Sequence, residues 1–175
     1  MVKRTIITGA PGTGKSTLIK GLQSEGILCA EEVSRTIIQK EQLLQSDGMP
    51  WKNMQRFSTL VFQETVELFK SETQTQFCDR SLVDVMAYLE HANLPVFEEL
   101  AAFNFHKYYH KKVFFASPWK EIYCKDPQRP QEFEFQLSLS KCIENLYKKL
   151  GFKICYLPCV TPEERILFVL NKSSF

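Results

Sequence analysis

The chain has 175 residues, of which 44% are hydrophobic and 24% are charged, and its formal net charge is +2. This length and composition predict a single domain over residues 1–175. The net charge is much smaller than that of a dedicated nucleic-acid-binding protein. No apolar run reaches the ~20 residues that span a bilayer. The six cysteines form no CxxC pair, and residues 2–9 read as a strand rather than a signal peptide. We therefore expect a cytoplasmic protein that binds neither nucleic acid nor membrane.

Short apolar runs alternate with longer helical patterns along the chain, which predicts βαβ units and a parallel sheet. The predicted strands are residues 2–8, 27–31, 75–78, 113–116 and 152–157. The predicted helices are residues 17–26, 51–70, 82–92, 96–109, 132–150 and 162–171. The fold class is therefore α/β.

A phosphate-binding loop follows the first strand, because GAPGTGKS at residues 9–16 satisfies G-x-x-x-x-G-K-[ST]. Backbone N–H groups of such a loop surround phosphates at a helix start, where the helix dipole also favours an anion. The lysine of the pattern reaches the terminal phosphates, and the serine hydroxyl joins the coordination of Mg²⁺. The pattern predicts ATP and Mg²⁺ as cofactors; the alternative is a glycine turn beside an ordinary surface lysine. The predicted nucleotide-binding residues are Gly9, Ala10, Pro11, Gly12, Thr13, Gly14, Lys15, Ser16 and Thr17.

Acidic residues end the second and third predicted strands, at the edge of the sheet where the phosphate loop lies. Glu31 and Glu32 face opposite sides, and we favour Glu32 as the inward residue. Asp79 can hold the water shell of Mg²⁺ or accept a proton from an attacking hydroxyl, and Arg80 can orient an acceptor or bridge phosphates. The alternatives are a solvated helix start for the glutamate, and for Asp79 a helix N-cap or a structural partner of Arg80.

The loop at about residues 117–131, which is rich in proline and charge, is predicted to form a lid. Lys120, Lys125 and Arg129 would bring positive charge onto the phosphates, and the closed lid would exclude water. The alternative is a mobile loop with ordinary charges. His106 and His110 have a metal-compatible spacing on a predicted helix, but we interpret them as core-edge and surface histidines.

Four segments, GAPGTGKST, EEVSR, CDRSLVDVMAY and SPWKEIYCKDPQRPQEFEF, resemble P-loop predicted ATPases and kinases related to the ribosylnicotinamide-kinase domain of the bifunctional NAD-biosynthesis regulator. The resemblance implies a nucleoside-kinase-like fold with a five-stranded parallel sheet in the order 2-3-1-4-5 and an ATP–Mg²⁺ site. It also implies that Glu32 and Asp79 lie at the acceptor and magnesium side, and Arg129 in a short lid. A hexameric AAA+ machine is not implied, because the chain is too short for the second, helical domain.

One departure from the family pattern concerns the magnesium aspartate, which normally follows a longer apolar run than Phe77-Cys78. Either Asp79 or a rim glutamate could therefore handle the metal. Asp79 and Ser16 are the predicted metal ligands.

Two functions follow as hypotheses. The first is a small-molecule kinase that moves the γ-phosphate of ATP to a hydroxyl of a nucleoside-like acceptor. Lys15 and Mg²⁺ would neutralise charge, Asp79 or Glu32 would accept the hydroxyl proton, and Arg80 with Arg129 would clamp the phosphates. The second is a nucleotide-dependent switch or slow ATPase that acts through a protein or lipid partner. GTP is disfavoured, because no N/T-K-x-D sequence occurs.

Overall fold

A five-stranded parallel sheet in the order β2-β3-β1-β4-β5 forms the centre of the structure, a computed structural model that describes residues 3–30, 32–71, 74–123 and 133–173. This confirms the predicted fold class and strand order. In the register, Ile6 of β1 lies between Cys78 of β3 and Val113 of β4. The strands are Arg4–Thr8 (β1), Cys29–Ala30 (β2), Phe77–Asp79 (β3), Tyr109–Phe115 (β4) and Lys153–Tyr156 (β5).

Helices cover both faces of the sheet, as expected for parallel strands that are apolar on both sides. The helices are Lys15–Ser24 (α1), Val33–Leu43 (α2), Met54–Ser71 (α3), Leu82–His91 (α4), Glu98–Ala101 (α5), Phe105–Tyr108 (α6), Phe133–Lys149 (α7) and Pro162–Lys172 (α8). One core, which includes Ile6 and Val113, joins the sheet to α3, α4 and α7. The other, which includes Ile7 and Phe114, joins it to α1 and α8. No described helix has both the length and the apolar content of a membrane span.

The helix predicted over residues 96–109 is wrong. The segment instead forms two one-turn helices, α5 and α6, and strand β4 begins at Tyr109. The aromatic residues of this segment pack against Phe69 of α3, whose ring lies 4.6 Å from the ring of Tyr108 and 5.5 Å from that of Tyr109. Tertiary packing thus decides the backbone, because one continuous helix would point these rings in other directions.

Helix α2 was not among the predicted helices. It begins after Glu32 and has only two buried residues, Ile37 and Glu41, so its sequence carries a weak apolar stripe. Helices α4 and α8 have a clear local signal, since Ser81 with Asp84 and Thr161 with Glu164 form capping boxes.

Candidate active site

The phosphate loop connects the end of β1 to the start of α1, as the glycine pattern predicts. Gly9 has φ +140°, and a Cβ built on it would lie 2.1 Å from the Ala116 carbonyl oxygen, so only glycine fits between the two strands. Gly14 has φ +82° and is the N-cap of α1. The loop therefore presents its N–H groups at a helix N-terminus, where an anion is favoured.

Lys15 is buried and folds over its own loop. Its Nζ donates to the Ala10 carbonyl at 2.8 Å and to the Thr13 hydroxyl at 3.2 Å. Burial, and then repulsion from Arg80, lower the pKa of Lys15 to about 7. An anion bound in the loop would offset both effects, because it favours the charged ammonium.

Asp79 ends β3 and lies beside β1, in register with Ile7. Its side chain is buried and lines the cavity described below, yet its Oδ1 atom has no hydrogen-bond partner. Burial raises the pKa of Asp79 to about 6. The helix N-cap alternative is wrong, because Ser81 caps α4. A buried carboxylate oxygen without a partner is costly, so the site fits a bound proton donor or cation.

Arg80 connects the start of helix α2 to the phosphate loop. Its Nε donates to Glu32 at 2.7 Å and its Nη1 donates to the Gly9 carbonyl at 3.1 Å. Its φ of 68° is left-handed, which is unusual for a residue other than glycine and marks a strained turn. Among the described residues the carboxylates within 4 Å of Arg80 are those of Glu32 and, at 3.6 Å, Asp84, so Asp79 is not its direct ion-pair partner.

Glu32 is the N-cap of α2 and points inward, as favoured from the sequence. Burial alone would raise the pKa of Glu32, but attraction to Arg80 and Lys15 lowers it to about 2. Arg35, one turn later, donates to Glu32 at 3.1 Å and to the Ser16 hydroxyl at 3.1 Å. Glu32 is therefore committed to ion pairs. The other candidate, Glu31, lies outside the described residues.

Ser16 and Asp79, the predicted magnesium ligands, both line the same cavity. A serine hydroxyl and a carboxylate oxygen without a partner are the oxygen donors that Mg²⁺ takes from a protein, with waters and phosphates completing its shell. In the described ranges no group of three His, Cys, Asp or Glu side chains suits a metal ion. A site with two protein ligands is compatible with this, so the residues fit Mg²⁺ held together with a nucleotide.

Asp84 is a site residue that sequence reasoning did not identify. Its carboxylate is buried and accepts hydrogen bonds from the Ser81 N–H at 2.9 Å, from the Tyr147 hydroxyl at 2.6 Å and from the Thr8 hydroxyl. These bonds fix the turn that carries Arg80. The D-R-S-x-x-D spacing was the available signal, because an acid three residues after Ser81 completes a capping box.

Arg165 is the second residue that was missed. It lies on α8, and its Nη1 donates to the Thr13 carbonyl at 2.7 Å while its Nε donates to the Pro158 carbonyl at 2.8 Å. The guanidinium lies 5.0 Å from the ring centre of Trp119. Arg165 thus holds the phosphate loop in place at Thr13. No sequence signal pointed to it, because a charged residue in the first turn of a helix is ordinarily solvated.

The predicted lid is only partly described. Lys120 lies in the 3-10 turn Lys120–Ile122 and is exposed. Lys125 and Arg129 lie outside the described residues, so their predicted roles stay predictions. Trp119 and Ile122, at the start of this segment, line the cavity.

The two histidines do not share a helix. His106 lies in α6, where its Nε2 bonds the Leu150 carbonyl at 2.8 Å and its ring packs on Phe152. His110 lies in β4 and is exposed. The helical spacing that would have suited a metal therefore does not exist.

One cavity of about 1100 Å³ runs along the phosphate loop, and its walls come from two sides. Residues from α8 and the segments before it form what we term the α8 wall: Trp119, Ile122, Cys159, Thr161 and Arg165. Residues from α3 and α4 form the α3 wall: Met54, Phe57, Val61, Leu68, Val85 and Tyr88. Lys15, Glu32, Asp79 and Arg80 lie where the two walls meet. The volume slightly exceeds the upper end of the range for one drug-sized ligand, about 300–1,000 Å³.

The fold and the loop define a P-loop nucleotide-binding protein. Residues 4–165 match a protein family described as AAA domain, and the chain belongs to this family. No curated protein matches it in sequence.

Solved structures of P-loop kinases share the fold. The deoxyadenosine kinase of M. mycoides with bound dATP is 14% identical, with a TM-score of 0.68 over 98% of each chain. The thymidylate kinase of Candida albicans is 14% identical, with a TM-score of 0.60 over 97% of this chain and 89% of that one. The shikimate kinase of Aquifex aeolicus is 18% identical, with a TM-score of 0.59 over 96% of this chain and 94% of that one. At these identities the likeness establishes a kinase-like P-loop fold.

Proposed function

We propose that the protein is an ATP-dependent small-molecule kinase that transfers the γ-phosphoryl group to a hydroxyl of a nucleoside-like acceptor, as in ribosylnicotinamide kinases. The observation that carries the proposal is the buried Asp79 carboxylate, with one oxygen lacking a partner, on a cavity that continues past the phosphate loop. A nucleotide hydrolase needs room for water beyond the γ-phosphate, whereas a kinase needs a second ligand site there. The α3 wall offers such a site.

In this proposal the donor nucleotide lies along the α8 wall with its phosphates in residues 9–17. The loop N–H groups and the Lys15 ammonium would hold the phosphates, and Lys15 would leave the Ala10 carbonyl to do so. Mg²⁺, held by Ser16 and Asp79, would supply charge neutralisation between the phosphates when bound. Arg80 and, from the lid, Arg129 would clamp the transferred group.

We assign the proton-accepting role to Asp79 rather than to Glu32. A general base works best when its pKa lies near the working pH. Asp79 has a buried oxygen without a partner, whereas both oxygens of Glu32 already bond, to Arg80, Ser34 and Arg35. Without a bound cation, the pKa of Asp79 is raised to about 6 and that of Glu32 is lowered to about 2. Glu32 then acts as a positioning residue that holds Arg80. One oxygen of Asp79 would face the magnesium shell and the other the acceptor hydroxyl.

We further propose that residues 1–175 form one domain whose lid spans about 117–131, and that the protein works in the cytoplasm. The five described cysteines are free thiols, which supports a reducing compartment. The partners would be a nucleotide and a small-molecule acceptor.

The test is ATP consumption against a panel of ribosylnicotinamide, nucleosides and other small hydroxyl metabolites. Lys15→Ala serves as the blank, and Lys20→Ala, an exposed lysine of the same helix, is the matched control. We expect one compound to raise ADP release above the water background and to appear phosphorylated, with Lys20→Ala behaving as the parent protein. Phosphorylation that persists in Lys15→Ala would contradict the proposal.

One observation favours the second candidate, a nucleotide-dependent switch. Arg35 of α2 hydrogen-bonds Ser16 of the phosphate loop, and α2 ends at two exposed leucines, Leu43 and Leu44, which are 85% and 65% exposed. A nucleotide that changed the Ser16 contact would shift α2 and this apolar end, which could bind a partner. ATP binding without phosphorylation of any compound in the panel would favour this candidate.

A further inference from the structure

The α3 wall is apolar behind its charged rim, and this bears on what the acceptor can be. Val61 is buried, and Met54, Phe57 and Leu68 of the same helix are half-buried around the cavity. Val85 of α4 lines the cavity as well. The inference drawn here rests on the proposed kinase function, since it concerns the acceptor of that same site.

Most polar groups of this wall already bond within the protein. The Thr65 hydroxyl donates to the Val61 carbonyl at 2.7 Å, and the Tyr109 hydroxyl accepts the Leu82 N–H at 3.3 Å. The Arg4 guanidinium, which also lines the cavity, lies 4.6 Å from the ring centre of Phe69. Ser58 adds one short hydroxyl. A ligand against this wall meets mainly hydrocarbon and aromatic rings, and the hydroxyls of Ser58 and Tyr88 are the polar groups left beside them.

We propose that the acceptor is amphipathic, with a hydroxyl-bearing polar end at Asp79 and Arg80 and an apolar body, aromatic or hydrocarbon, against the α3 wall. A body edged with several hydrogen-bonding groups, such as a pyrimidine base, would leave those groups buried without partners. Each such group lowers affinity by about tenfold or more. An apolar ring loses nothing in this way and gains from leaving water.

The cavity leaves space for this body beside the donor. Its volume of about 1100 Å³ is lined by two walls whose helices pack on opposite faces of the sheet, and Arg165 of the α8 wall bonds Thr13 of the phosphate loop. A donor on the α8 wall leaves the α3 wall to a second ligand. The rim residues that would act on the hydroxyl lie between them.

The experiment compares two probes with the same polar end. Benzyl β-D-ribofuranoside and uridine share a ribose with a free 5′-hydroxyl, and they differ in the attached ring. Their dissociation constants are measured by calorimetry with ADP present. We expect benzyl ribofuranoside to bind at least about tenfold more tightly than uridine. Equal affinity, or tighter binding of uridine, would overturn the inference.

A matched pair of variants locates the binding. Thr65 and Thr59 both lie on α3, and each hydroxyl donates to the carbonyl four residues earlier, at 2.7 and 3.1 Å. Thr65 lines the cavity, whereas Thr59, six residues earlier, lies on another side of the helix. We expect Thr65→Leu to weaken benzyl ribofuranoside binding by about tenfold and to leave ATP binding unchanged. Thr59→Leu should change neither, and equal losses in both variants would overturn the assignment.

If Thr65→Leu does not fold, Val85→Phe on α4 tests the same point, because it also places a larger side chain in the cavity. Thermal melting establishes that each variant is folded.

The two proposals, the kinase function and the amphipathic acceptor, can fail independently of each other. Absence of Lys15-dependent phosphorylation would refute the kinase, while the ring preference, which is measured by binding alone, would refute or support the amphipathic acceptor.

Discussion

Replacing Asp84 by asparagine tests how the site is held together. The substitution keeps the shape of the side chain but removes its charge and one acceptor oxygen. The Ser81 N–H and the Tyr147 hydroxyl donate to Oδ2, while the Thr8 hydroxyl donates to Oδ1 and Arg80 lies 3.6 Å from Oδ1. The variant loses the contacts of whichever oxygen the amide nitrogen replaces, together with the attraction to Arg80. In either orientation the amide NH₂ faces a group that only donates, the Ser81 N–H or the Arg80 guanidinium.

The expected cost follows from burial. Breaking a buried charged network by removing one partner costs about 3–5 kcal/mol. For a chain of this length each kcal/mol lowers Tm by roughly 2–4 °C, so we expect Tm to fall by about 10 °C. Tyr147→Phe removes one hydrogen bond to the carboxylate, at 2.6 Å, and one with the Ser81 hydroxyl, at 2.7 Å, and should cost about 1.5–3 kcal/mol.

The assay is urea unfolding at pH 7, followed by circular dichroism, together with ADP release at a temperature where each variant is folded. Glu163→Gln, which removes an exposed carboxylate from the first turn of α8, is the control and should match the parent. Activity should fall along with stability, because Asp84 fixes the turn of Arg80. An Asp84→Asn protein within about 1 kcal/mol of the parent would refute the reasoning.

Three further predictions concern the phosphate loop and its neighbours. Lys15→Ala should weaken ATP binding by about tenfold to a hundredfold in calorimetry, because a charge-assisted contact to phosphate is lost. Asp79→Asn should be more stable than the parent at pH 7.5 by about 2–3 kcal/mol in urea unfolding with EDTA, because the folded pKa of about 6 exceeds the ordinary 3.8. The parent therefore loses stability as pH rises from about 4 to about 6, and the variant does not. Arg165→Met should lower the free energy of unfolding by about 2–3 kcal/mol and should weaken the binding of both ATP and inorganic tripolyphosphate, since it loosens the loop at Thr13.

Each of these has a contrary outcome. Unchanged ATP affinity in Lys15→Ala would remove this lysine from the phosphate site. A constant stability difference between Asp79→Asn and the parent across the pH range would mean that Asp79 does not titrate as described. Lys172→Met removes an exposed charge from the same helix as Arg165, and an equal effect of both substitutions would contradict the link to the loop.

Local sequence signals sufficed for the parts of the fold that are fixed locally. The glycine pattern at residues 9–16 placed the loop correctly, because its backbone torsions and helix start are specified by adjacent residues. The strand order came from a family resemblance, and the structure has that order. The helix predicted over residues 96–109 failed because packing onto Phe69, more than 25 residues earlier, sets the backbone there.

The site was predictable only where side chains follow a strand end. Asp79 ends β3 and Glu32 follows the neighbouring strand β2 by two residues, so sequence position placed both at the rim. Their different pKa values were not predictable, because the pKa of each depends on burial and on neighbouring charges such as Arg80. Arg165 could not be found at all, since it reaches the loop across 152 residues of sequence.

The contact between Arg165 and Thr13 determines when the nucleotide site can form during synthesis of the chain. The phosphate loop is synthesised before both neighbours of β1 and well before the arginine that supports Thr13. A growing chain thus carries the nucleotide-binding motif without its support. We expect ATP to protect from proteolysis only chains that extend past Arg165, so nucleotide binding follows the folding of this domain rather than guiding its early steps.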